Sequence, residues 1–266
     1  MNNFKISIIG CGNLGLSILN GLLENDEIIA ENITVSRRNI AKIQYLSSKG
    51  VNVTTDNIKA IKDAKIVIIA VKPYNLLSVC DELKNFLITD QHILVSTATG
   101  VSIEEMTKVI KKDISILRAM PNTAADVGES VSCICDNGVS KEDYQLVEML
   151  FKAVGSSIRI SENLMEAATV LGACGVAYVL RFMRAMVQGG IQIGFDAKTA
   201  TSIVNQTVKG ASELLLQNGE HPEFEIDKVT TPKGCTILGL NEMEHNGFSS
   251  SLIKGLVKSY EKISED

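Results

Sequence analysis

The sequence lacks the spacing of a metal site. Its six cysteines form no CxxC pair, and its three histidines, His92, His221 and His245, stand far apart. It also lacks a basic block. With a net charge of -5 over 266 residues, nothing tracks a phosphate backbone, which argues against a nucleic-acid partner. That negative charge gives an anionic ligand no long-range attraction, so any anion must be caught locally. No signal peptide is expected at the start, because MNNFKISIIG reads as a strand. Cys133 and Cys135 alternate in VSCICD, so in a strand they point to one face as small buried hydrophobes. A reduced, cytoplasmic protein is expected. Nor is there a clean run of 18 apolar residues. Glu166–Phe195 is long and mostly apolar, but Arg181, Arg184 and Gln188 interrupt it, so a soluble helix is expected and no membrane partner.

What is present is 45% hydrophobic and 21% charged, ample for a buried core. The first half alternates strand and helix. FKISIIG, ITVSRR, VNVTT, AKIVIIAVKP, HILVSTATG and ISILRAMPN read as strands, with VSCICD and SSIRI as two later ones. Helical segments lie between them, including NIAKIQYLSSKG, and Ser102 with Glu105 forms a capping box. This spacing predicts an α/β fold, a Rossmann-type doubly wound, mostly parallel sheet. From about Asn163 long helical periods take over. The expected division is a dinucleotide-binding domain over 1–162 and an all-α substrate and dimerisation domain over 163–266. The helix from Gly175 to about Gly194 is apolar nearly all round, so it must be covered on every side. About 100 residues are too few to wrap it, which predicts a homodimer with interleaved helices. The alternative is burial between the two domains of one chain.

Gly10, Gly12 and Gly15 in IIGCGNLG have G-x-G-x-x-G spacing, following a strand and opening a helix. In that context the stretch Gly10, Cys11, Gly12, Asn13, Leu14 and Gly15 reads as a pyrophosphate turn. The second strand ends in Ser36, Arg37 and Arg38 with no acid. A hydroxyl and two guanidinium groups suit a 2′-phosphate, so NADP(H) is favoured over NAD(H). Three further strand exits lie where the crevice of an open α/β sheet is built. They are Ala70, Val71, Lys72 and Pro73; Thr97, Ala98 and Thr99; and Met120, Pro121 and Asn122.

GCGNLG, VSRR, AVKP, RAMPNTAADVGE, EAATVLGACGVAY and VTTPKGCTILGLNEMEHNGF together resemble the pyrroline-5-carboxylate reductase family, in the same order and over nearly the whole chain. The resemblance implies NAD(P)H-dependent reduction of a cyclic imino acid, 1-pyrroline-5-carboxylate, to L-proline. It also implies an intertwined homodimer, often assembled into a higher-order ring. It places the substrate carboxylate at Thr231 and at the N–H groups of Gly234, Cys235 and Thr236. The Thr236 hydroxyl is then the catalytic group beside the ring nitrogen, and Ser36 and Asn57 contact the adenosine side. The sequence departs from the family pattern at Gly172–Tyr178, GACGVAY, and at Lys233, where a glycine is familiar; the Lys233 side chain is expected to point to solvent. A β-hydroxyacid dehydrogenase is a second reading, but Arg181 takes the position of its acid/base lysine, and arginine does not release its proton. A non-catalytic NADP-binding regulatory protein is a third.

Overall fold

The structure is a computed structural model describing residues 4–265. It divides into two compact units, one holding the chain through Val176 together with residues from Tyr260 on, the other spanning Ala177–Ser259.

The first unit is built on eight strands: β1 (Lys5–Ile9), β2 (Ile33–Ser36), β3 (Asn52–Thr54), β4 (Ala64–Ile69), β5 (Ile93–Ser96), β6 (Ser115–Met120), β7 (Ser130–Asp136) and β8 (Gly155–Arg159). They lie in the order β3-β2-β1-β4-β5-β6-β7-β8. β1 to β6 are parallel, β7 runs antiparallel to β6, and β8 is parallel to β7. The strands fall where the sequence places them, and the sheet is doubly wound. The strand order reverses between β1 and β4, so the carboxyl ends of these two strands flank the crevice that such sheets use for ligands.

The apolar runs of β1 and β4 serve two cores at once. Successive side chains point to opposite faces. Ile66 and Ile68 join one buried cluster, Val67 and Ile69 the other. On the first face pack α1 (Asn13–Leu23), through Ile18, Leu19 and Leu22, and α5 (Lys141–Lys152), through Val147, Leu150 and Phe151. On the second pack α3 (Pro73–Leu83), through Leu76, Cys80 and Leu83, and α4 (Ile103–Ile110), through Ile103, Met106 and Ile110. Each such side chain contributes roughly 1.5–3 kcal/mol by leaving water. Cys135 is buried in the second cluster with Cys133 packed against it, so the two do share one face. The expected capping box is present: Glu105 N donates to Ser102 Oγ (3.2 Å) and Ser102 N to Glu105 Oε2 (2.8 Å).

Two local expectations need correction. NIAKIQYLSSKG forms no α-helix. It makes 3₁₀ turns at Ile40–Lys42 and Gln44–Lys49, closing at Gly50 in the left-handed region (φ +87°). Ile43 N bonds back to Ile40 O and Leu46 N to Ile43 O, each three residues away. β-branched Ile40 and Ile43, and Ser48, whose hydroxyl bonds Tyr45 O, weaken the α alternative. A short helix absent from the sequence reading, α2 (Asn57–Ile61), starts under Asp56, which accepts from Lys59 N.

The helical run after β8 begins with a 3₁₀ turn at Glu162–Leu164. It passes through α6 (Met165–Ala168) and a π-helical turn at Thr169–Cys174 into α7 (Gly175–Gln192). The second unit contains most of α7, then α8 (Ala197–Asn218), α9 (Pro222–Lys228), α10 (Cys235–His245) and most of α11 (Phe248–Glu265). Gly190 lets α7 approach α8, since a Cβ there would lie 3.2 Å from Ala200 Cβ. Tyr178 and Ser259 share a 2.6 Å hydrogen bond, and Phe182 packs on Phe248 with centroids 6.1 Å apart.

This unit is not self-sufficient. Its buried cluster comprises Val187, Ala200 and Val204. Of α7, only Val187 is buried, so the chain does not enclose the helix. Leu180, Ile193, Leu216 and Leu238 are each more than half exposed. Apolar surface on this scale marks a protein or membrane contact. By length and composition alone Glu162–Gln192 is also long enough to cross a membrane, with 11% of its most apolar window buried.

Candidate active site

Gly10, at φ +82°, turns the chain out of β1. Gly10 N and Cys11 N both donate to Ser36 O, at 3.0 and 2.9 Å, which hangs the loop on the end of β2. A Cβ at Gly10 would overlap Val71 Cγ1; at Gly15 it would press on Gly10 O at 3.3 Å and Ile8 at 3.4 Å. These two glycines are required by the protein's own packing. Gly12 is different. A Cβ there would find no protein atom closer than Gly10 O at 3.8 Å. Its φ of -88° suits any residue. The missing side chain leaves backbone open to whatever approaches the start of α1, as a pyrophosphate requires.

Helix starts sort the same way. Five helices begin under a side-chain cap: α2 (Asp56), α4 (Ser102), α5 (Ser140), α8 (Asp196) and α9 (His221). By contrast α1, α3 and α10 begin without one, and none has an acid in its first turn. Their first N–H groups and positive dipole ends are left for an anion. These three helices follow GCGNLG, AVKP and TTPKG. His221 caps α9 by accepting from Glu223 N (3.2 Å), which gives the Glu220–His221–Pro222 segment a structural role.

At the end of β2, Ser36 is buried and its Oγ donates to Asn57 Oδ1 (2.6 Å). Asn57 Nδ2 in turn donates to Glu82 Oε2 (3.1 Å). Arg37 Nη1 donates to Cys11 O (3.0 Å), while Arg38 is exposed and has no partner among the described residues. Burial pushes the Cys11 thiol up to about 11, against the opposing pull of Arg37, so it stays neutral. The other exits lie at the same edge, since β1, β2, β4, β5 and β6 are parallel. Ala70 and Val71 are half-buried, Lys72 is exposed, and Pro73 starts α3. Thr97 is buried with Oγ1 donating to Ile69 O (3.3 Å), Ala98 N donates to Ser96 Oγ (3.2 Å), and Thr99 is half-buried. Met120, Pro121 and Asn122 are buried.

Thr231–Gly234 forms a tight turn in the second unit, in which Gly234 N donates to Thr231 O (2.9 Å). Pro232 and Lys233 (φ +64°) fill its centre, the pattern of a type II turn whose third position favours glycine. The Gly234 N–H is thus used by the turn itself, while Cys235 and Thr236 open α10. Gly234 must lack a side chain, since a Cβ would come within 2.7 Å of Thr231 Oγ1. Lys233 is exposed and has no partner among the described residues, as expected.

Sequence reasoning missed one cluster. Arg118 of β6 is almost wholly buried; its Nη1 donates to Glu162 Oε1 (3.2 Å) and its Nη2 to Glu166 Oε1 (2.8 Å). Two acids four residues apart repel on a helix unless a cation lies between them, and that spacing was the available signal.

An open glycine turn at a strand switch point, beside uncapped helix starts, defines a dinucleotide-dependent oxidoreductase carrying an added helical unit. Two family models match: pyrroline-5-carboxylate reductase dimerisation over residues 162–266, and NADP oxidoreductase, coenzyme F420-dependent, over residues 5–100. Pyrroline-5-carboxylate reductase 2 of Dictyostelium discoideum is 40% identical, covering 99% of this chain and 93% of its own. That of Methanosarcina acetivorans is 34% identical, covering 100% and 98%. Reductase 1 of Dictyostelium discoideum is 42% identical over 97% of this chain, which spans 49% of that relative's length. Among solved structures, a pyrroline-5-carboxylate reductase from Coxiella burnetii superposes with TM-score 0.90 at 31% identity, covering 99% of this chain and 98% of that one. One from Plasmodium falciparum, with NADP bound, gives 0.88 at 26%, with the same coverage. The chain belongs to the pyrroline-5-carboxylate reductase family. The membership replaces the β-hydroxyacid dehydrogenase reading. The dimerisation match also accounts for the exposed apolar helices as an oligomer's contact surface.

Proposed function

We propose that this protein reduces 1-pyrroline-5-carboxylate to L-proline, with a nicotinamide coenzyme, NADP(H) ahead of NAD(H), supplying hydride to the ring imine carbon. The reading is carried by the coincidence of uncapped helix starts with the three motifs. The start of α1 and the open face of Gly12 hold the pyrophosphate. Ser36, Arg37, Arg38 and Asn57 form the adenosine end; Arg38, exposed and without a partner among the described residues, is the group free to pair a 2′-phosphate. Ala70–Pro73, Thr97–Thr99 and Met120–Asn122 line the rest of the cleft.

The substrate carboxylate lies at the start of α10, where Cys235 and Thr236 offer N–H groups and Thr231 a hydroxyl, with Gly234 shaping the approach. Thr236 Oγ1 hydrogen-bonds the ring nitrogen and orients the ring. A protonated cyclic imine is already electrophilic, so the chain needs no strong acid, and its task is to hold the imine carbon in place. The nitrogen's proton comes from solvent and stays on the amine of proline. The functional division is 1–162 for coenzyme and 163–266 for substrate and association. The protein works in the cytoplasm as a homodimer or a ring of dimers.

The test is coenzyme oxidation with a panel of cyclic imino acids, with proline measured as product. Turnover fastest with pyrroline-5-carboxylate supports the reading. NADPH binding without turnover of any imine refutes it.

A further inference from the structure

Arg118 lies four residues before Asn122, on the strand whose exit lines the coenzyme cleft. Its guanidinium is buried, and its Nε has no partner among the described residues. All its hydrogen bonding is directed at one segment, through Glu162 and Glu166. Glu162 Oε1 also accepts from Ile103 N (2.8 Å) at the start of α4, which anchors that carboxylate independently. Glu166 has no second anchor of this kind among the described residues. It stands three residues before the π-helical turn Thr169–Cys174. That turn is tied to the same strand exit a second time: Asn122 Nδ2 donates to Gly172 O (3.0 Å), while Asn122 Oδ1 accepts from Ala124 N (2.9 Å) and Asn122 N donates to Ser130 Oγ (3.0 Å).

A π-turn widens the helix and is costly to keep without outside support. Here support comes from two ties, Glu166 before the turn to Arg118 of β6 and Gly172 within it to Asn122 just past that strand. Stability alone is a weak reason for such a cluster, since buried ion pairs are often no better than apolar packing. We propose that Arg118 and Glu166 are positioning residues: their ion pair holds the π-turn against Asn122, so that the inner lip of the coenzyme cleft is rigid when hydride transfers. The proposal rests on the function proposed above only for its kinetic readout.

The test compares Glu166→Ala, which removes the tie, with Glu166→Gln, which keeps an oxygen acceptor for Arg118 Nη2. Misplacing a reacting group by an ångström costs up to about 100-fold, so Glu166→Ala is expected to lower kcat by about 10- to 100-fold. NADPH Kd should change by less than about 2-fold, since neither Glu166 nor Arg118 bonds to the glycine turn or to the Ser36–Asn57 pair to which the proposed function gives the pyrophosphate and adenosine. Glu166→Gln should recover most of the lost kcat. Without substrate, amide exchange over residues 171–175 should quicken in Glu166→Ala and not in Glu166→Gln. A lowered Tm with unchanged kcat would make the cluster merely structural and overturn the proposal. So would a parallel loss of Kd and kcat, or unchanged amide exchange. If Glu166→Ala does not fold, Glu166→Asp, which shortens the side chain by one methylene, carries the same expectation. If the wild-type protein turns over no imine, the proposed function fails, and the exchange comparison alone decides this proposal.

Discussion

Replacing Gly12 by alanine should damage binding and spare the fold, whereas the same change at Gly10 should damage the fold. At Gly10 the backbone has φ +82°, and a methyl would overlap Val71 Cγ1 and lie 3.1 Å from Ala70 O. The left-handed conformation costs an L-residue about 1–2 kcal/mol, and forcing a methyl into packed surroundings about 1–3 more. Gly10→Ala should therefore destabilise by about 2–5 kcal/mol, a large part of the roughly 5–15 kcal/mol that holds a domain folded. At Gly12 φ is -88° and the nearest atom to an added methyl is 3.8 Å away. Alanine also removes unfolded-state entropy there, so stability should stay level or rise by up to about 1 kcal/mol. The methyl would nonetheless occupy the space by which a pyrophosphate reaches the N–H groups of α1. Losing a single charge-assisted hydrogen bond, about 1.5–3 kcal/mol, weakens binding by about 10- to 100-fold. Urea unfolding of both variants, paired with NADPH titration followed by coenzyme fluorescence, separates the two effects. Gly12→Ala protein that binds NADPH as well as wild type, or that unfolds as readily as Gly10→Ala, would refute the reasoning.

Lys233→Gly should stabilise the protein by about 0.5–1 kcal/mol, the relief of a left-handed lysine less the added freedom of glycine in the unfolded chain; a lower Tm would show that the Lys233 side chain contributes more than its φ of +64° costs. His92 is buried, accepting from Ile88 N through Nδ1, with Nε2 beside Ile61 O (3.0 Å), and burial lowers its pKa below 6.5. The unfolded chain then binds the extra proton first, so stability should fall as pH drops below about 6.5 and level off above it. His92→Gln should flatten that slope in urea midpoints, and an unchanged slope would assign it elsewhere. Replacing Arg37 and Arg38 together by alanine should weaken NADPH more than NADH, and equal losses would remove them from 2′-phosphate recognition. Thr236→Val should lower kcat while NADPH Kd holds, and unaltered kinetics would remove the hydroxyl from the reaction.

The sheet was legible because β1, β4 and β5 are near-continuous apolar runs that end in turn residues, a pattern strands covered on both faces impose. The glycine turn after β1 was legible for the same kind of reason, since Gly10 and Gly15 are demanded by local packing. What stayed hidden depends on fine local competition in one segment and on partners distant in sequence in the others. Asn39–Gly50 has apolar spacing that suits a helix, and only the hydrogen-bonding of its serine and its β-branched residues tips it to 3₁₀ turns. β7 turns back beside β6 after the 3₁₀ segment Thr123–Val127, which packs so close to α1 that a Cβ at Gly21 would overlap Ala125 O. Arg118 reads as one more residue of an apolar strand until Glu162 and Glu166, more than 40 positions on, are folded against it. In the late motif, the turn and helix start were readable from Pro232 and Gly234, but not that the turn consumes the Gly234 N–H.

The most direct test of hydride delivery at this site follows the label. Protein incubated with NADPH carrying deuterium at both positions of the nicotinamide C4 and with pyrroline-5-carboxylate should yield L-proline carrying one deuterium at C5. Proline without deuterium, or label lost to water, would contradict the account.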